Sequence, residues 1–349
     1  MTVKPSMKIL MAKNCLALFF VISAFCGCSQ AFAQTDTVVL KQGLKIGGQL
    51  ISTDEKVVLF KTAFTSEPIS IKWSEIAAFK AKNTYRVLSK RGDIAVGTLQ
   101  MDTLQKQKVK VISTDTILLD RYNISQISAF DKRFGHRLKL DIDLGIIRTK
   151  ANNSNQVSFE LALKYPAKRW DFGINYSAFA SSADTISNVR ASLNLSAKYN
   201  MPKGWFGLGQ VSSFKSTEQQ IDYRVNYLLG LGKYFYRRDK INLSSYFGGT
   251  FNREKFTPLP QSFKSAEAFG GLHVEIIPQE KLRIVSEFVT YPSLSEAGRW
   301  RTYSKTDVLI SLVKHFRFGL GYMLNTDNKP PVSSSRSDYL FNIKLGWSL

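Results

Sequence analysis

The sequence predicts an all-β protein, a transmembrane antiparallel β-barrel of about 12 strands preceded by a small periplasmic β-domain made of two repeats. Three observations carry this prediction. The first residues have the pattern of an export signal, about twelve later segments alternate apolar and polar residues, and the twelfth segment runs to the last residue. Alternation with a period of two is typical of a strand with one apolar and one polar face.

The export signal is predicted over residues 1–33. Lysines precede an apolar run, and small residues follow at the two positions that a signal peptidase inspects: Lys4, Lys8 and Lys13, then residues 16–25, then Ala31-Phe32-Ala33. The mature chain is expected to begin near Gln34. The alternative is a lipid on Cys28, but Phe25 and Cys26 fit poorly where a lipoprotein signal has Leu and a small residue.

Composition sets the class of protein. The chain has 349 residues, 44% of them hydrophobic, and a formal net charge of +21. Its basic residues are spread without a long block, so no nucleic acid partner is expected. Cys15, Cys26 and Cys28 all lie in the predicted signal, so the mature chain is expected to hold neither a disulfide nor a thiolate metal site. After residue 33 no stretch reaches the roughly 18 to 20 apolar residues of a membrane helix, so a spanning structure has to be closed β-structure.

Residues 34–135 are predicted to form a periplasmic β-domain that contains one unit twice. In each unit a strand leads to a glycine turn, a second strand follows, and the unit ends with an Ile and a Phe. In the first unit these are Val39-Leu40, Gly43 and Ile76 to Phe79. In the second unit they are Val87-Leu88, Gly92 and Ile127 to Phe130. The closing residues are expected to cover one small core that includes Trp73. A structural role for these glycines and aromatics is favoured over a ligand-binding role.

Residues 136–349 are predicted to form the barrel. The twelve alternating segments are 138–146, 157–163, 170–176, 189–199, 205–214, 221–231, 241–251, 266–276, 282–288, 306–312, 316–324 and 339–349. The phase of the Gly-rich segment 205–214 is ambiguous. Tight turns alternate with longer connections at 149–156, 181–188, 252–265, 292–303 and 325–338, as expected of a bacterial barrel with short periplasmic turns. An even strand count leaves both barrel termini on the periplasmic side.

The alternative to the barrel is a soluble β-sandwich, whose half-buried strands can show the same alternation. The export signal and the terminal strand favour the barrel. So do aromatic residues gathered at strand ends, namely Tyr165, Trp170, Tyr199 and Trp205.

The signal, the double unit with its Trp73-Ser74-Glu75-Ile76 close and the alternating C-terminal two thirds resemble the domain-of-unknown-function 481 family, whose members are described as salt-induced outer membrane proteins. The resemblance implies location in the outer membrane of a Gram-negative bacterium, with the N-terminal domain in the periplasm, and carries no catalytic signature. The last strand resembles the signal that the barrel-assembly machinery recognises, although it ends in Leu349 where Phe is common. Expected partners are outer-membrane lipid, that machinery, and periplasmic or cell-wall components.

The chain has three histidines, His136, His273 and His315, and these are the candidates for a catalytic base. None has a serine two residues after it, as an outer-membrane phospholipase has, or an aspartate two residues before it, as an omptin-like protease has. No catalytic, cofactor-binding or metal site is therefore predicted. His273 is among the polar residues of its strand, on the same side as Glu275 and Glu267. A role as a hydrogen-bonded residue of the barrel wall is favoured over a proton-sensitive or metal-assisting site.

The polar residues of the alternating strands are expected to face the lumen. The residues proposed to lie there are Arg190, Arg224, His273, Glu275 and Arg317. Counting the polar residues along every strand gives nine basic residues, among them Lys344, against nine acidic ones, Asp222 included. A pore selective for one ion sign is expected to show an excess of one sign of charge in this count. Balance suits a lumen crosslinked by ion pairs or narrowly hydrated.

Two hypotheses of function follow. The first is a non-catalytic envelope protein whose barrel anchors the basic periplasmic domain, with a role under osmotic or ionic stress. The second is a passive diffusion channel for small solutes, which a barrel of this size permits without requiring it. An envelope hydrolase assembled from distant residues is a weaker third.

Overall fold

The structure is a computed structural model. It describes residues 36–53, 56–65, 67–101, 108–113, 116–131, 134–149, 154–183, 186–238, 240–257, 259, 261–279, 281–313, 315–330 and 335–348. The predicted signal, the three cysteines, Gln34 and Leu349 lie outside these residues. None of the helices in the described part of the chain is long and apolar enough to cross a membrane.

In the residues that the structure describes, twenty-one strands and four short 3-10 helices make up the fold. Nine strands belong to an N-terminal sheet: β1 (Asp36–Leu40), β2 (Lys45–Thr53), β3 (Val57–Lys61), β4 (Ile69–Lys72), β5 (Ile76–Ser89), β6 (Ile94–Met101), β7 (Lys108–Ile112), β8 (Thr116–Asp120) and β9 (Ile124–Ala129). Twelve form a closed barrel: β10 (Lys139–Thr149), β11 (Ser154–Pro166), β12 (Trp170–Ala183), β13 (Ile186–Asn200), β14 (Trp205–Ser216), β15 (Ile221–Arg237), β16 (Ile241–Phe256), β17 (Ser262–Gln279), β18 (Leu282–Pro292), β19 (Trp300–Val313), β20 (Phe316–Asp327) and β21 (Ser337–Ser348).

The N-terminal sheet contains the same strand order twice, as the sequence predicts. Strands β1 to β4 form a meander, a 3-10 turn at Trp73–Glu75 follows, and β5 returns to pair with β1. The second half of β5 and strands β6 to β8 repeat the meander, a 3-10 turn follows at Arg121–Asn123, and β9 returns to pair with β5. Gly43 and Gly92 occupy equivalent tight turns with φ of 87° and 85°, which only glycine adopts without strain.

One apolar core serves both copies. It includes Trp73, Ile76, Phe79 and Ile127, and the Trp73 and Phe79 rings meet edge to face with centroids 5.8 Å apart. The placement expected for Phe130 is wrong in detail. Phe130 is buried but lies outside that core, because it follows the last residue of β9 and its ring packs beneath the Arg137 guanidinium, while its backbone N–H still donates to the Thr84 carbonyl of β5.

A buried carboxylate joins three strands of the N-terminal sheet. Asp36 accepts hydrogen bonds from the backbone N–H groups of Leu50 (3.0 Å) and Lys82 (2.8 Å) and from the Tyr85 hydroxyl. Burial, followed by the hydrogen bond to Asp36, raises the pKa of Tyr85 above its ordinary value. The hydroxyl therefore stays protonated and acts as a donor.

The barrel confirms the predicted twelve antiparallel strands. Each strand pairs with the next, and β10 pairs with β21 from Asp141 opposite Ser348 to Leu144 opposite Leu345, which closes the cylinder. Most strands are longer than the alternating segments, because their pairing continues beyond the apolar stretch.

The lengths of the connections differ from prediction. Strand β12 ends at Ala183 and β13 begins at Ile186, and β16 and β17 are separated only by residues 257–261. Strands β10 and β11 are separated only by residues 150–153. Three of the connections expected to be long are therefore short, because polar residues that the sequence suggested were loop continue the hairpins. The long connections that remain are 293–299 and 328–336.

The outer face of the barrel is apolar around its circumference. Large hydrophobic side chains are exposed on every strand, including Ile146, Leu193, Leu229, Phe288 and Leu345. Trp170 stacks on Phe172 at one end of the barrel, and Trp205 lies beneath the Lys233 ammonium at the same end. An apolar band bordered by aromatic rings is the surface that a hydrocarbon layer and its interface require.

Candidate functional site: the barrel interior

The interior of the barrel has two chemically different halves. Charged side chains from β10 to β13 and from β19 to β21 pair across one half. An apolar and aromatic cluster from β14 to β18 fills part of the other half, with Phe206, Leu228, Tyr246, Phe269 and Val289 at its centre. Turns that contact the N-terminal sheet lie at one end of the barrel, here called the sheet end, and the opposite end is called the far end.

A chain of ion pairs lies at the far end, and it includes a contact of 3.5 Å between Arg299 Nη1 and Oε2 of the exposed Glu296. Arg224 Nε is 2.7 Å from Glu254 Oε2, and Arg299 Nη1 is 3.1 Å from the other oxygen of Glu254. Arg299 also reaches Asp327, with Nη2 2.8 Å from Oδ2. The chain thus connects β15 and β16 with the connection before β19 and with the end of β20.

Two further arginines at this end contact strands that are not their neighbours. Arg301 of β19 forms a bidentate pair with Glu267 of β17, in which its Nε lies 2.8 Å from Oε1. Arg190 of β13 forms an ion pair with Asp338 of β21, although three strands separate β13 from β21 around the wall. The Arg190 side chain therefore crosses the interior.

A cluster around Glu160 fills the middle of the charged half. Glu160 of β11 accepts hydrogen bonds from Lys344 (3.0 Å), Lys305 (3.2 Å) and the Asn342 amide (3.2 Å). Lys344 is only 3% exposed and also contacts Asp307 at 2.7 Å. These contacts connect β11 with β19 and β21 across the interior, and every charge in the cluster has an opposite partner.

Arg317 holds the junction at which the barrel closes. Its guanidinium donates to Asp141 at 2.6 Å and to Asp143 at 2.8 and 3.1 Å, and it also reaches the Ser348 hydroxyl. Because Arg317 is on β20 and the two aspartates are on β10, the side chain spans β21, the last strand. The first and last strands are thereby joined by side chains as well as by backbone hydrogen bonds.

His273 and Glu275 lie on one face of β17 with different partners. Glu275 accepts a 2.7 Å hydrogen bond from Arg283. His273 lies in register between Ser244 of β16 and Glu287 of β18 and lines an interior cavity. In the described part of the chain no hydrogen bond links His273 to Ser244 or to Glu287. These three side chains therefore do not form the hydrogen-bonded arrangement of a nucleophile and its base. No group of three or more His, Cys, Asp or Glu side chains is arranged for a metal within that part.

Inward glycines make room for the aromatic cluster. A Cβ on Gly232 would meet the Phe206 ring, one on Gly230 would lie 2.6 Å from the Phe269 ring, and one on Gly271 would lie 2.5 Å from the Tyr246 ring. This arrangement explains the ambiguous phase of segment 205–214. In β14 apolar residues point both ways, with Phe206 buried and Val211 exposed.

Most of the far-end ion pairs involve residues that the sequence did not predict to be in the barrel interior. Glu254, Arg299, Asp327 and Asp338 fall where loops were expected, so the polar-phase count omitted them. Continuing the inward phase of β16 from Thr250 to Asn252 and Glu254 would have found the first of these, since all three are buried.

The assignment of Asp222 to the lumen is wrong. The register of β15 shifts between Ile221 and Tyr223, and this irregularity changes the phase. The Asp222 carboxylate instead lies 3.7 Å from Lys215 and 3.8 Å from Lys255, and all three side chains are exposed. Ile221 occupies the buried side.

A cavity of about 410 Å³ lies between polar side chains of β12 and β13 and the aromatic cluster. Arg224, Tyr291 and Arg301 line both this cavity and a smaller one of about 50 Å³ at the far end. These three side chains therefore form the wall between the two spaces, and ion pairs to Glu254 and Glu267 hold both arginines in that wall.

The N-terminal sheet contacts the sheet end of the barrel through polar groups. Arg86 Nη2 of β5 lies 3.0 Å from Asp171 Oδ1 of β12, and burial lowers the pKa of Arg86 while Asp171 opposes that effect. The Ser125 hydroxyl donates to the Arg237 carbonyl at 2.8 Å, and the Lys203 backbone N–H donates to Asp93 at 2.9 Å.

A closed antiparallel cylinder with an apolar outer face, an aromatic border and an ion-paired polar interior defines the class of transmembrane β-barrel proteins. Within that class, the chain belongs to the family described as protein of unknown function, DUF481. The family match covers residues 142–349. The resemblance of the N-terminal repeats to this family concerns residues outside the matched range and stays a prediction.

Solved barrel structures resemble this chain at low identity. NanC porin is 12% identical with a TM-score of 0.36, over 60% of this chain and 97% of that one. KdgM porin in complex with disordered oligogalacturonate is 11% identical with a TM-score of 0.34, over 60% and 99%. The translocator domain of autotransporter NalP from Neisseria meningitidis is 10% identical with a TM-score of 0.33, over 60% and 86%. No curated protein matches the chain. The fold assignment rests on the strand pairing.

Proposed function

We propose that this protein is a non-catalytic barrel of the outer membrane of a Gram-negative bacterium, and that it anchors its N-terminal sheet in the periplasm. The observation that carries the proposal is the crossing of the interior by paired charges, with Glu160 bound to Lys305 and Arg190 bound to Asp338. Paired side chains that reach through the interior between strands with three others between them occupy space that an open pore needs.

The contacts between the sheet and the barrel support anchoring. Arg86 with Asp171, Ser125 with the Arg237 carbonyl, and Asp93 with the Lys203 N–H join three strands or turns of the barrel to three elements of the sheet. Gly92 and Gly204 are so close that a Cβ on Gly92 would lie 2.5 Å from the Gly204 Cα. Such close backbone approach favours a fixed attachment over a flexible tether.

The connections support this orientation. The sheet lies at the end with the shorter connections, such as 167–169, 201–204 and 238–240. In bacterial barrels the short turns are periplasmic. The outward residues of the last strand, Phe341, Ile343 and Leu345, are exposed and apolar, so they suit contact with outer-membrane lipid and recognition by the barrel-assembly machinery.

The exposed surface of the N-terminal sheet suggests the kind of partner that the anchored sheet binds. Exposed lysines are distributed over it, at Lys41, Lys45, Lys72, Lys80, Lys82 and Lys108. We infer that the sheet binds acidic cell-wall or periplasmic components, and that this attachment supports the envelope under osmotic or ionic stress. Purified sacculi should co-sediment with the protein at low salt and release it at high salt, because exposed charges are screened. A strain lacking the protein should grow more slowly at raised salt.

Planar-bilayer recording tests the closed barrel. The purified full chain should give no conductance steps, and the same is expected of a form lacking residues 34–135. The double variant Arg224→Ala, Arg301→Ala should give steps, because it removes two of the three side chains that form the wall between the two interior spaces. Robust conductance by the unaltered protein would contradict the proposal.

The interior cavity favours a second candidate, a passive diffusion channel for small solutes. In that case the unaltered protein conducts, and Arg190→Ala or Arg224→Ala shifts its ion selectivity, because each removes a positive charge from the interior. The absence of any conductance rejects this candidate. A hydrolase would be revealed by turnover of lipid or peptide substrates that His273→Ala abolishes.

A further inference from the structure

A groove of about 1020 Å³ lies on the apolar outer face of the barrel, between β12 and β17. Two register rows of outward residues cross it. The row nearer the far end carries large side chains, among them Leu195 and Phe251. The next row toward the sheet end is interrupted by small residues, namely Ala197, Gly209 and Gly249. These small residues make the surface concave, since a Cβ on Gly249 would have no atom within 4 Å.

The side chains around the groove are accessible from outside. Tyr227, Leu229 and Leu294 line it and are 53%, 74% and 71% exposed. Leu294 follows β18, and its backbone N–H donates to the Ala266 carbonyl at 2.8 Å, so this leucine extends the apolar face beside β17. At membrane depth an apolar groove is filled by hydrocarbon. The groove therefore suits an acyl chain.

Four basic residues follow the groove on the same outer face, toward the far end. Arg253 of β16 and Lys264 of β17 are paired in register, and each lies two residues beyond a groove residue of its own strand. Residues two apart on one strand face are about 7 Å apart, so these cations border the groove directly. Lys215 of β14 and Lys255 of β16 continue the cluster toward the end of the barrel.

The charge of this basic cluster is not balanced by the protein. Asp222 lies between Lys215 and Lys255, at 3.7 and 3.8 Å. Arg253 and Lys264 are exposed, and neither has an ion pair within the residues that the structure describes. Four positive charges thus stand against one negative charge at the edge of an apolar groove. This arrangement is complementary to a ligand with an anionic head group and an apolar tail.

Phosphate is the anionic group that fits this cluster, because arginine and lysine bind its oxygens by charge-assisted hydrogen bonds. The far end lies in the outer leaflet when the short turns are periplasmic, and the choice of leaflet rests on the function proposed above. We propose that this face binds a phosphorylated, acylated lipid of the outer leaflet, with an acyl chain in the groove and a phosphate held by Arg253 and Lys264. The barrel then has a specific lipid site as well as a general apolar surface.

The test is native mass spectrometry of the detergent-solubilised full chain, titrated with three probes. These are lipid A with both phosphates, the same lipid after dephosphorylation, and inorganic phosphate. Lipid A should bind saturably and about tenfold more tightly than its dephosphorylated form, because the phosphate contacts are charge-assisted. Inorganic phosphate should not bind at concentrations that saturate with lipid A, because it has no acyl chain. Absence of saturable lipid A binding, or equal binding of lipid A and either other probe, overturns the proposal.

Variants locate the site on this face. The double variant Arg253→Gln, Lys264→Gln should weaken lipid A binding about threefold to tenfold, because it removes both cations that border the groove. Gly249→Leu should also weaken it, because the added side chain fills the groove. The matched control Lys168→Gln, Lys240→Gln removes the same charge from exposed turns at the sheet end and should leave binding unchanged. Equal weakening in the control and in the cluster variant overturns the site.

The other occupant of such a groove is a second copy of the chain. A dimer of the unaltered chain in detergent that Gly249→Leu dissociates would assign the groove to that copy and overturn the lipid proposal. Lipid binding is measured in detergent and conductance in a planar bilayer. Loss of the lipid site therefore leaves the anchoring proposal standing, and conductance by the unaltered protein contradicts anchoring without affecting the lipid site.

Discussion

Arg86 in the N-terminal sheet forms a 3.0 Å ion pair with Asp171 at the start of barrel strand β12, and both side chains are largely removed from solvent. Asp171 also accepts a 2.7 Å hydrogen bond from the Asn200 amide, and Asn200 in turn accepts a hydrogen bond from Arg237. The pair is thus part of a network that fixes the sheet on the barrel.

The first prediction concerns this junction. In a double-mutant cycle of Arg86→Ala and Asp171→Ala, we expect a coupling energy of about 0.5 to 2 kcal/mol, because the two charges are adjacent and only partly solvated. Faster hydrogen exchange in β5 and β6 reports the loosening in each single variant. Lys80→Ala, an exposed residue of the same strand, is the control. Equal exchange in Arg86→Ala and the control would show that the pair does not hold the sheet.

The second prediction concerns pH. The pKa of Tyr85 is raised in the folded protein. Above about pH 10 the folded state therefore keeps the hydroxyl proton, whereas an exposed tyrosine, with a pKa of about 10, loses it. The stability that this group contributes is complete below about pH 10 and declines as pH rises further. Hydrogen exchange of the N-terminal sheet should therefore accelerate above pH 10 more steeply in the unaltered protein than in Tyr85→Phe.

At neutral pH the same variant should lose about 1 to 2 kcal/mol of sheet stability, because one buried donor to Asp36 is removed. Parallel pH profiles for the variant and the unaltered protein would contradict this role of Tyr85.

The third prediction concerns the Glu160 cluster. Glu160→Gln should destabilise the barrel by about 2 to 3 kcal/mol, below the full range for a buried pair because the carboxylate is 19% exposed. After the change Lys305 and Lys344 still share the Asp307 carboxylate. The temperature at which the folded band disappears on a gel measures the loss. Lys215→Gln, from an exposed pair, should change stability by about 0.5 kcal/mol or less.

The fourth prediction uses two adjacent glycines of β16. A Cβ on Gly248 would clash with the Leu229 carbonyl and lie 2.6 Å from the Gly230 Cα, whereas a Cβ on Gly249 has no atom within 4 Å. Gly248→Ala should therefore cost about 1 to 3 kcal/mol, the range for overpacking. Gly249→Ala should lie within about 0.5 kcal/mol of the unaltered protein. Equal melting temperatures for the two variants would show that the wall relaxes around the added methyl.

The amino-acid sequence determined the number of barrel strands and the two-copy sheet. A strand such as β21 has to place Phe341, Ile343 and Leu345 on one side, and a glycine such as Gly43 or Gly92 is required wherever the backbone turns with positive φ. Both are local properties, readable within about ten residues of chain.

The tertiary structure decided how the interior is filled. The partners of Arg190 and Glu160 lie 148 and 145 residues away, at Asp338 and Lys305, and only the closure of the cylinder brings them together. The inward aromatics fit because Gly230, Gly232 and Gly271 face them from neighbouring strands. Alternation gives the face on which a side chain lies, but opposition across a lumen depends on strand register and curvature, which no single segment encodes.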